Sequence, residues 1–272
     1  MINAISVDLE DWFSVSNLTD TIKREQWGTI QSRVEKNTHV ILELFKRHNV
    51  RGTFFVLGWV AENFPDLVRA IDMEGHEIAC HGYAHKMVTH MTQEEFREDI
   101  SRSIRITGSL TSRKIIGYRA PSFTIGTKTL WALDVLKENG ILYDSSVFPI
   151  GFHPDYGMPE APLGIFTHGN GILEFPLSCT EVLGRRIPCS GGGYFRLFPY
   201  ALTRGLLKRC NKEGRPAVFY IHPWEIDPGQ PRVNLPPVKR FRHYVNLGRT
   251  LSRLERLVQD FQFAPLREVL GL

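Results

Sequence analysis

The chain has 272 residues, 42% hydrophobic and 23% charged, with a formal net charge of +4. That length suits one large domain, and the composition is that of a globular protein able to bury a core. Cations are spread along the chain, as at Arg185–Arg186, Lys208–Arg209 and Lys239–Arg240, and with no recognisable motif beside them they do not argue for nucleic acid.

The N-terminus runs straight into "MINAISVDLED", with no basic region followed by an apolar run. No secretory leader is visible, so a cytoplasmic location is expected. No stretch approaches the roughly 18 apolar residues of a membrane span. Four cysteines, Cys80, Cys179, Cys189 and Cys210, form no CxxC pair. They read as reduced thiols, with a Cys179–Cys189 bridge as the lesser alternative.

Strand-like and helix-like segments then alternate. "AISVD" predicts a first strand that ends in Asp8, Glu10 and Asp11, followed by Trp12 and Phe13. Residues 30–48 space Ile30, Val34, Ile41, Leu44 and Phe45 as an amphipathic helix. "GTFFVLG" (52–58) predicts a second strand, Pro65 to Met73 a short helix ended by Gly75, and "HEIAC" a third strand. Thr92-Gln93-Glu94-Glu95 has capping-box form and starts a helix to about Leu110. "KIIGY" gives a strand and Lys128 to Asn139 a helix. "ILYDSS", "ILEFPL" and "AVFYIH" supply three more strands, with a helix from Tyr200 to Lys212 before the last. An amphipathic helix, "YVNLGRTLSRLERLVQDF", lies near the end. Residues 149–199, rich in Pro and Gly, suit long loops rimming a site.

Alternating β and α units argue for an α/β fold with a mostly parallel sheet, open or closed as a barrel. In either architecture functional residues gather at the carboxyl ends of strands. Asp8, His81, Arg119, Asp144 and His222 all fall there. "CHGYAH" places His81 and His85 four apart, a spacing that in a helical turn points two imidazoles the same way. Two His and one carboxylate form a common open catalytic set for a divalent ion.

"SVDLED", "GTFFVLG", "HEIACHGYAH", "GYRAPSF", "YDSSVFP" and "FYIHPWE" resemble, in order, the motifs of the NodB-homology polysaccharide deacetylases, carbohydrate esterase family 4. "EFPLS", "SGGGYFRLFP", "HPWEIDPGQPR" and "RFRHYVNL" resemble the exopolysaccharide- and exosortase-locus subgroup with its C-terminal extension. The resemblance implies a distorted NodB-like (β/α) barrel of about seven strands. Residues 1–225 would form the catalytic domain and 226–272 an extension packed on it.

It also implies roles at matching positions. Asp8 stands at the catalytic base, His81 and His85 at the metal histidines, and His222 at the general acid. Arg119 matches the arginine that pairs with the base, which lowers a carboxyl pKa and orients it. Leu9 occupies the place where many members have their metal-binding Asp. Strand alternation favours Glu10 as the ligand instead, with Asp11 as the rival. Ser122 sits where the family offers a backbone N–H to the oxyanion. "YDSS" is remote from the family's fourth motif, so Asp144 is as well explained as a turn cap as by partnership with His222.

"SGGGYFR" lacks the Lys-Ser/Thr ending and following helix of a phosphate loop. Its glycines are read as admitting backbone close to a sugar, with Tyr194 or Phe195 stacking on it. Trp224 and Trp12 are further candidates for that role, or for core packing. The implied cofactor is a divalent metal ion, Zn²⁺ in first place. The implied reaction is removal of N-acetyl groups from amino sugars of a polysaccharide or its lipid-linked or oligosaccharide precursor. The alternatives are an amidohydrolase acting on a small non-sugar C–N substrate and a non-catalytic carbohydrate-binding protein. The last is disfavoured because Asp8, His81, His85 and His222 are all present. The expected partner is an N-acetylated glycan or glycan precursor, with no nucleic acid and no integral membrane segment.

Overall fold

The computed structural model describes residues 1–151 and 157–272. Residues 152–156, within the 149–199 stretch, lie outside the described residues. Strand β1 (Ile2–Leu9) is buried from its second residue onward, as a strand covered on both faces must be. Helix α1 (Val34–Arg47) turns Val34, Ile41, Leu42, Leu44 and Phe45 inward. Next come β2 (Thr53–Val56), α2 (Gly58–Asn63), α3 (Pro65–Met73) and β3 (Glu77–Cys80). Pro65 starts α3 at a position whose N–H needs no helical partner. Helix α4 (Gln93–Gly108) is capped reciprocally, with Glu95 N donating to Thr92 Oγ1 (3.2 Å) and Thr92 N to Glu95 Oε2 (3.0 Å). Then follow β4 (Gly117–Tyr118), α5 (Ala132–Glu138), β5 (Tyr143–Asp144), β6 (Phe166–Thr167) and β7 (Leu173–Glu174). The chain continues through a hairpin of β8 (Cys179–Val182) and β9 (Arg185–Pro188), then α6 (Gly192–Leu197), α7 (Tyr200–Lys212) and β10 (Val218–Ile221). It closes with α8 (Pro237–Tyr244), α9 (Leu247–Asp260), β11 (Gln262–Ala264) and α10 (Leu266–Leu270).

The strands form one curled sheet in the order β10-β1-β2-β3-β4-β5-β7-β6, with β11 also on β1. All seven strands expected from the sequence lie in it and pair in parallel. Between β7 and β10 the arc is bridged by segment 177–191, where Val218 N donates to Ser178 Oγ and Tyr220 N to Ser190 O, both at 2.8 Å. This is the distorted NodB-like barrel. Helices cover its outer face, and Ile5, Val7, Phe54, Val56, Phe45, Leu254 and Leu257 belong to one continuous core. Each such side chain contributes about 1.5–3 kcal/mol of burial free energy.

The C-terminal segment is built into this sheet. Residues Ile2, Asn3 and Ala4 of β1 pair with Gln262, Phe263 and Ala264. Buried Glu77 accepts hydrogen bonds from Thr53 Oγ1 (2.6 Å), Tyr143 OH (2.9 Å) and Arg267 N (3.0 Å), which fixes the start of α10 under the sheet. Among the described residues no helix is long and apolar enough to cross a membrane.

Several elements differ from expectation. The single helix predicted from Tyr244 begins at Leu247, because Asn246 takes a left-handed conformation (φ 55°) that separates α8 from α9. The hairpin β8–β9 and the short α2, β6, β11 and α10 were not anticipated. All four cysteines are free and buried. The sulfur facing Cys189 is that of Cys210, at 3.5 Å, not that of Cys179.

A candidate metal and acid–base site at the strand ends

Strand register alone gathers the site. Val7 pairs with Ile221, Val56 with Cys80, Cys80 with Tyr118 and Tyr118 with Asp144. In β1, β3, β4, β5 and β10 the next residue therefore stands at one end of the barrel: Asp8, His81, Arg119, Ser145 and His222. They line or underlie a cleft of about 630 Å³ whose walls include Asp8, Glu10, His81, His85, Ser122 and His222.

Glu10, His81 and His85 are buried, and one donor atom of each lies within 4.8 Å of the others. Among the described residues Glu10 Oε2 and His85 Nδ1 have no hydrogen-bond partner, although Glu10 Oε2 stands 3.0 Å from His85 Nε2. Buried polar atoms are ordinarily satisfied, so orphans beside a convergent donor set are what a cation would satisfy. His81 Nδ1 faces Arg119 O at 2.7 Å, which makes it the donor nitrogen and leaves the lone pair of Nε2 able to ligate. Burial, opposed by the charge of Asp8, holds the His81 imidazole down at about 4, the neutral form a metal requires. Burial pushes the Glu10 carboxyl up, but the His85 and His222 imidazoles outweigh it and hold it at about 2. The donor set thus fits a divalent cation.

The two histidines do not sit on a helical turn. Gly82 (φ 73°) and His85 (φ 52°) fold residues 81–85 into a bend that brings the ring centroids to 5.5 Å. A side chain at Gly82 would meet Asp99 Oδ2 at 2.9 Å, so glycine is needed for the bend.

Asp11 lies on the other side of the chain. It accepts from Trp12 N (2.8 Å), Arg33 N (3.0 Å), Val34 N (3.3 Å) and the Ser32 hydroxyl. It caps the start of α1 and is not part of the donor set, because the backbone leaves the sheet after Leu9 and turns the side chain at 11 away. Trp12 follows it inward, donating to Gln31 O (3.2 Å) within a cluster around Phe13, Trp27 and Leu18, so it cannot face a sugar.

Arg119 is wholly buried. It donates to Asp8 Oδ1 (2.6 Å), Ser6 Oγ (2.7 Å), Ser145 O (2.9 Å) and Ser145 Oγ (2.9 Å), with its guanidinium 4.1 Å from the Phe55 ring centre. Asp8 is thereby fixed with its second oxygen toward the cleft. Ser122 and Phe123 hold left-handed backbone (φ 54° and 55°) at the cleft wall, a strained turn of the kind that collects at functional sites.

Asp144 does not reach His222. It accepts from Ser146 Oγ (2.6 Å) and Ser146 N (3.2 Å) and is paired with Glu174 beside it, on strands in register. Burial and Glu174 push its carboxyl well above the ordinary range, while burial raises Glu174 to about 7. The pair holds Ser146, whose N donates to both carboxyls and whose Oγ accepts from Ala120 N (2.7 Å).

The partner of His222 is Glu225, which sequence reasoning missed. Glu225 Oε2 accepts from His222 Nδ1 (2.9 Å) and His222 N (3.1 Å). The other ring nitrogen stands 3.3 Å from Glu10 Oε1 and 3.8 Å from Asp8 Oδ2. Burial lowers the His222 pKa, but Glu225, Glu10 and Asp8 override it and raise it to about 9. The signal was present, since "HPWE" spaces the two as a capping box.

Tyr194 and Trp224 line the cleft, Trp224 stacked on His222 with centroids 5.4 Å apart. Phe195 points into the core against Phe219 (4.8 Å) and is no stacking platform. The glycines of "SGGGYFR" admit a strand, not a sugar. A Cβ at Gly191 would lie 2.0 Å from Tyr220 O, and one at Gly192 would lie 2.6 Å from the Tyr220 ring. A helix, α6, starts at Gly192, where none was expected.

Residues 20–143 match the family model described as polysaccharide deacetylase, and residues 145–271 match a domain of unknown function, DUF3473. A peptidoglycan-N-acetylglucosamine deacetylase of Bacillus cereus is 41% identical over 86 residues, 32% of this chain and 29% of the relative. A peptidoglycan deacetylase of Helicobacter pylori is 30% identical over 116 residues, 43% of this chain and 39% of the relative. The chain thus spans well under half the length of these curated relatives. A solved structure from Mycobacterium smegmatis, assigned as a polysaccharide deacetylase, superposes with a TM-score of 0.64 at 20% identity, covering 98% of this chain and 88% of that one. At that identity the likeness speaks for the fold. The chain carries a polysaccharide deacetylase domain of the NodB-homology, family 4 carbohydrate esterase type, continued on its C-terminal side by DUF3473.

Proposed function

We propose that the chain hydrolyses the N-acetyl groups of amino sugars in a glycan, its oligomers or a lipid-linked precursor, in a metal-dependent reaction. The observation that carries this reading is the meeting of three units in one cleft: the Glu10–His81–His85 donor set, the Asp8–Arg119 pair and the His222–Glu225 pair. The curated relatives named above are deacetylases of peptidoglycan, which supports an N-acetylated glycan as the substrate class.

A divalent ion, Zn²⁺ in first place, held by Glu10, His81 and His85, would polarise the acetamide carbonyl and lower the pKa of a water. Asp8, ionised and oriented by Arg119, takes the proton of the attacking water. The backbone N–H at Ser122 is assigned to the developing oxyanion, a role that needs no particular side chain. His222, held by Glu225 through Nδ1, gives its Nε2 proton to the departing amine. The C–N bond breaks, and acetate and the free amino sugar are the products. Tyr194 offers an aromatic face to the sugar ring, whereas both faces of the expected platform Trp224 are taken by His222 and His243.

Incubation of the full chain with N-acetylglucosamine oligomers and with lipid-linked N-acetylhexosamine, with and without added Zn²⁺, tests this by acetate release. Deacetylation that disappears on chelation and returns with the ion is the expected result. Retained metal with no acetate from either substrate class would overturn the reading.

A further inference from the structure

The acid side of the cleft is held by a buried chain of charges that lies wholly outside the deacetylase-matched residues 20–143. Arg196 Nε donates to Glu225 Oε1 at 2.6 Å, both groups being almost fully buried. The other arm of Arg196 donates to the carbonyls of His243 (3.0 Å) and Val245 (3.1 Å), at the end of α8. The Arg196 carbonyl in turn accepts from Asn246 Nδ2 (2.8 Å) and Arg253 Nη1 (2.9 Å). The His243 ring lies flat on Trp224 (4.6 Å, 10°), and Trp224 lies on His222. Breaking a buried ion pair is costly, so such an arrangement persists where geometry is being fixed.

We propose that DUF3473 positions the imidazole of His222, with Arg196 as the positioning residue that locks Glu225 onto Nδ1 so that Nε2 alone faces the cleft. This rests on the deacetylase reading for its activity test, and it adds a task for Arg196 and the end of α8, which that reading leaves unused. Arg196, Glu225, His243 and Val245 all belong to the 145–271 match. A guanidinium suits the task because its rigid fork serves Glu225 and the two carbonyls at once, which a single ammonium does not. The carboxylate fixes which ring nitrogen carries the proton, the contribution of the third member of a hydrolytic triad.

The experiment uses the full chain in two states. In the metal-loaded protein, kcat and KM for N-acetylglucosamine oligomers are measured for wild type, Arg196→Met, Arg196→Lys, Glu225→Gln and the Arg196→Met/Glu225→Gln double variant. In the metal-free protein, nitrogen NMR of the imidazoles reports the His222 tautomer. Glu225→Gln is expected to lower kcat about a hundredfold and Arg196→Met about tenfold or more, with KM within about twofold. The double variant should be no slower than Glu225→Gln, since both act through one ring. With the ring titrated to its neutral form, His222 should be the Nδ1–H tautomer in wild type and a mixture in the variants. Wild-type kcat in a natively melting Arg196→Met, or an unchanged tautomer in Glu225→Gln, overturns the proposal. If Arg196→Met does not fold, Arg196→Lys and its tautomer decide. A wild type that releases no acetate but shows the locked tautomer sinks the deacetylase reading and leaves the positioning role standing.

Discussion

On the cation side of the cleft, Asp8 lies near the end of β1 and His81 and Arg119 stand one step beyond β3 and β4, and the register of β1 to β4 delivers them. On the acid side only His222 is delivered that way. Its orientation depends on Glu225, Arg196 and two backbone carbonyls drawn from short helices and turns of residues 192–245. The first side is largely a product of sheet geometry, with His85 added by the bend at Gly82. The second is a product of buried ion pairing and fails when any member of the chain is removed.

The largest expected effect separates two adjacent carboxylates. Glu10→Ala should abolish metal binding, read by metal content after gel filtration, and acetate release with it. Asp11→Ala should leave both intact. Asp8→Asn should keep the metal and lower kcat by about 10²–10⁴-fold, the range for a lost general base. Ordinary rates with metal bound would remove Asp8 from that role.

On stability, Arg119→Met strands the buried Asp8 carboxylate and should cost about 3–5 kcal/mol in a urea titration of the metal-free protein. Asp11→Ala, which removes only the cap of α1, should cost about 1–2 kcal/mol. If the two costs were equal, the sheet side would be no more dependent on its ion pair than on a helix cap.

The smallest effect lies at the seam between the two halves, where Asp144 meets Glu174. Burial raises Glu174 from its ordinary 4.5 to about 7, and Asp144 is raised well above its usual range. The folded state therefore holds protons that the unfolded state releases, and stability falls as pH rises from about 4.5 through 7. Asp144→Asn, which offers Glu174 a donor at every pH, should flatten that slope in denaturation series at fixed ionic strength.

The seven strands and the residues at their ends were legible because apolar runs bounded by glycine mark strands, and strand ends mark sites. Glu10 was preferred over Asp11 by alternation, although the reason it wins is the departure of the chain from the sheet after Leu9. The directions of Trp12 and Phe195 were not legible, since only packing decides which face of a loop an aromatic takes. Hairpin β8–β9 lacks an Asn-Gly turn signal, turning instead at Leu183 (φ 50°) and Gly184 (φ 71°). Glu225 escaped notice because the partner of His222 was sought in a distant motif, not one turn further along its own.

Strand β1 pairs with β10 and β11, more than 200 residues later in the chain. During synthesis, Ala4 to Val7 keep one hydrogen-bonding edge open until Val218 to Ile221 are made. Such late closure makes for slow folding and a nascent chain that depends on chaperones to keep that edge from foreign strands.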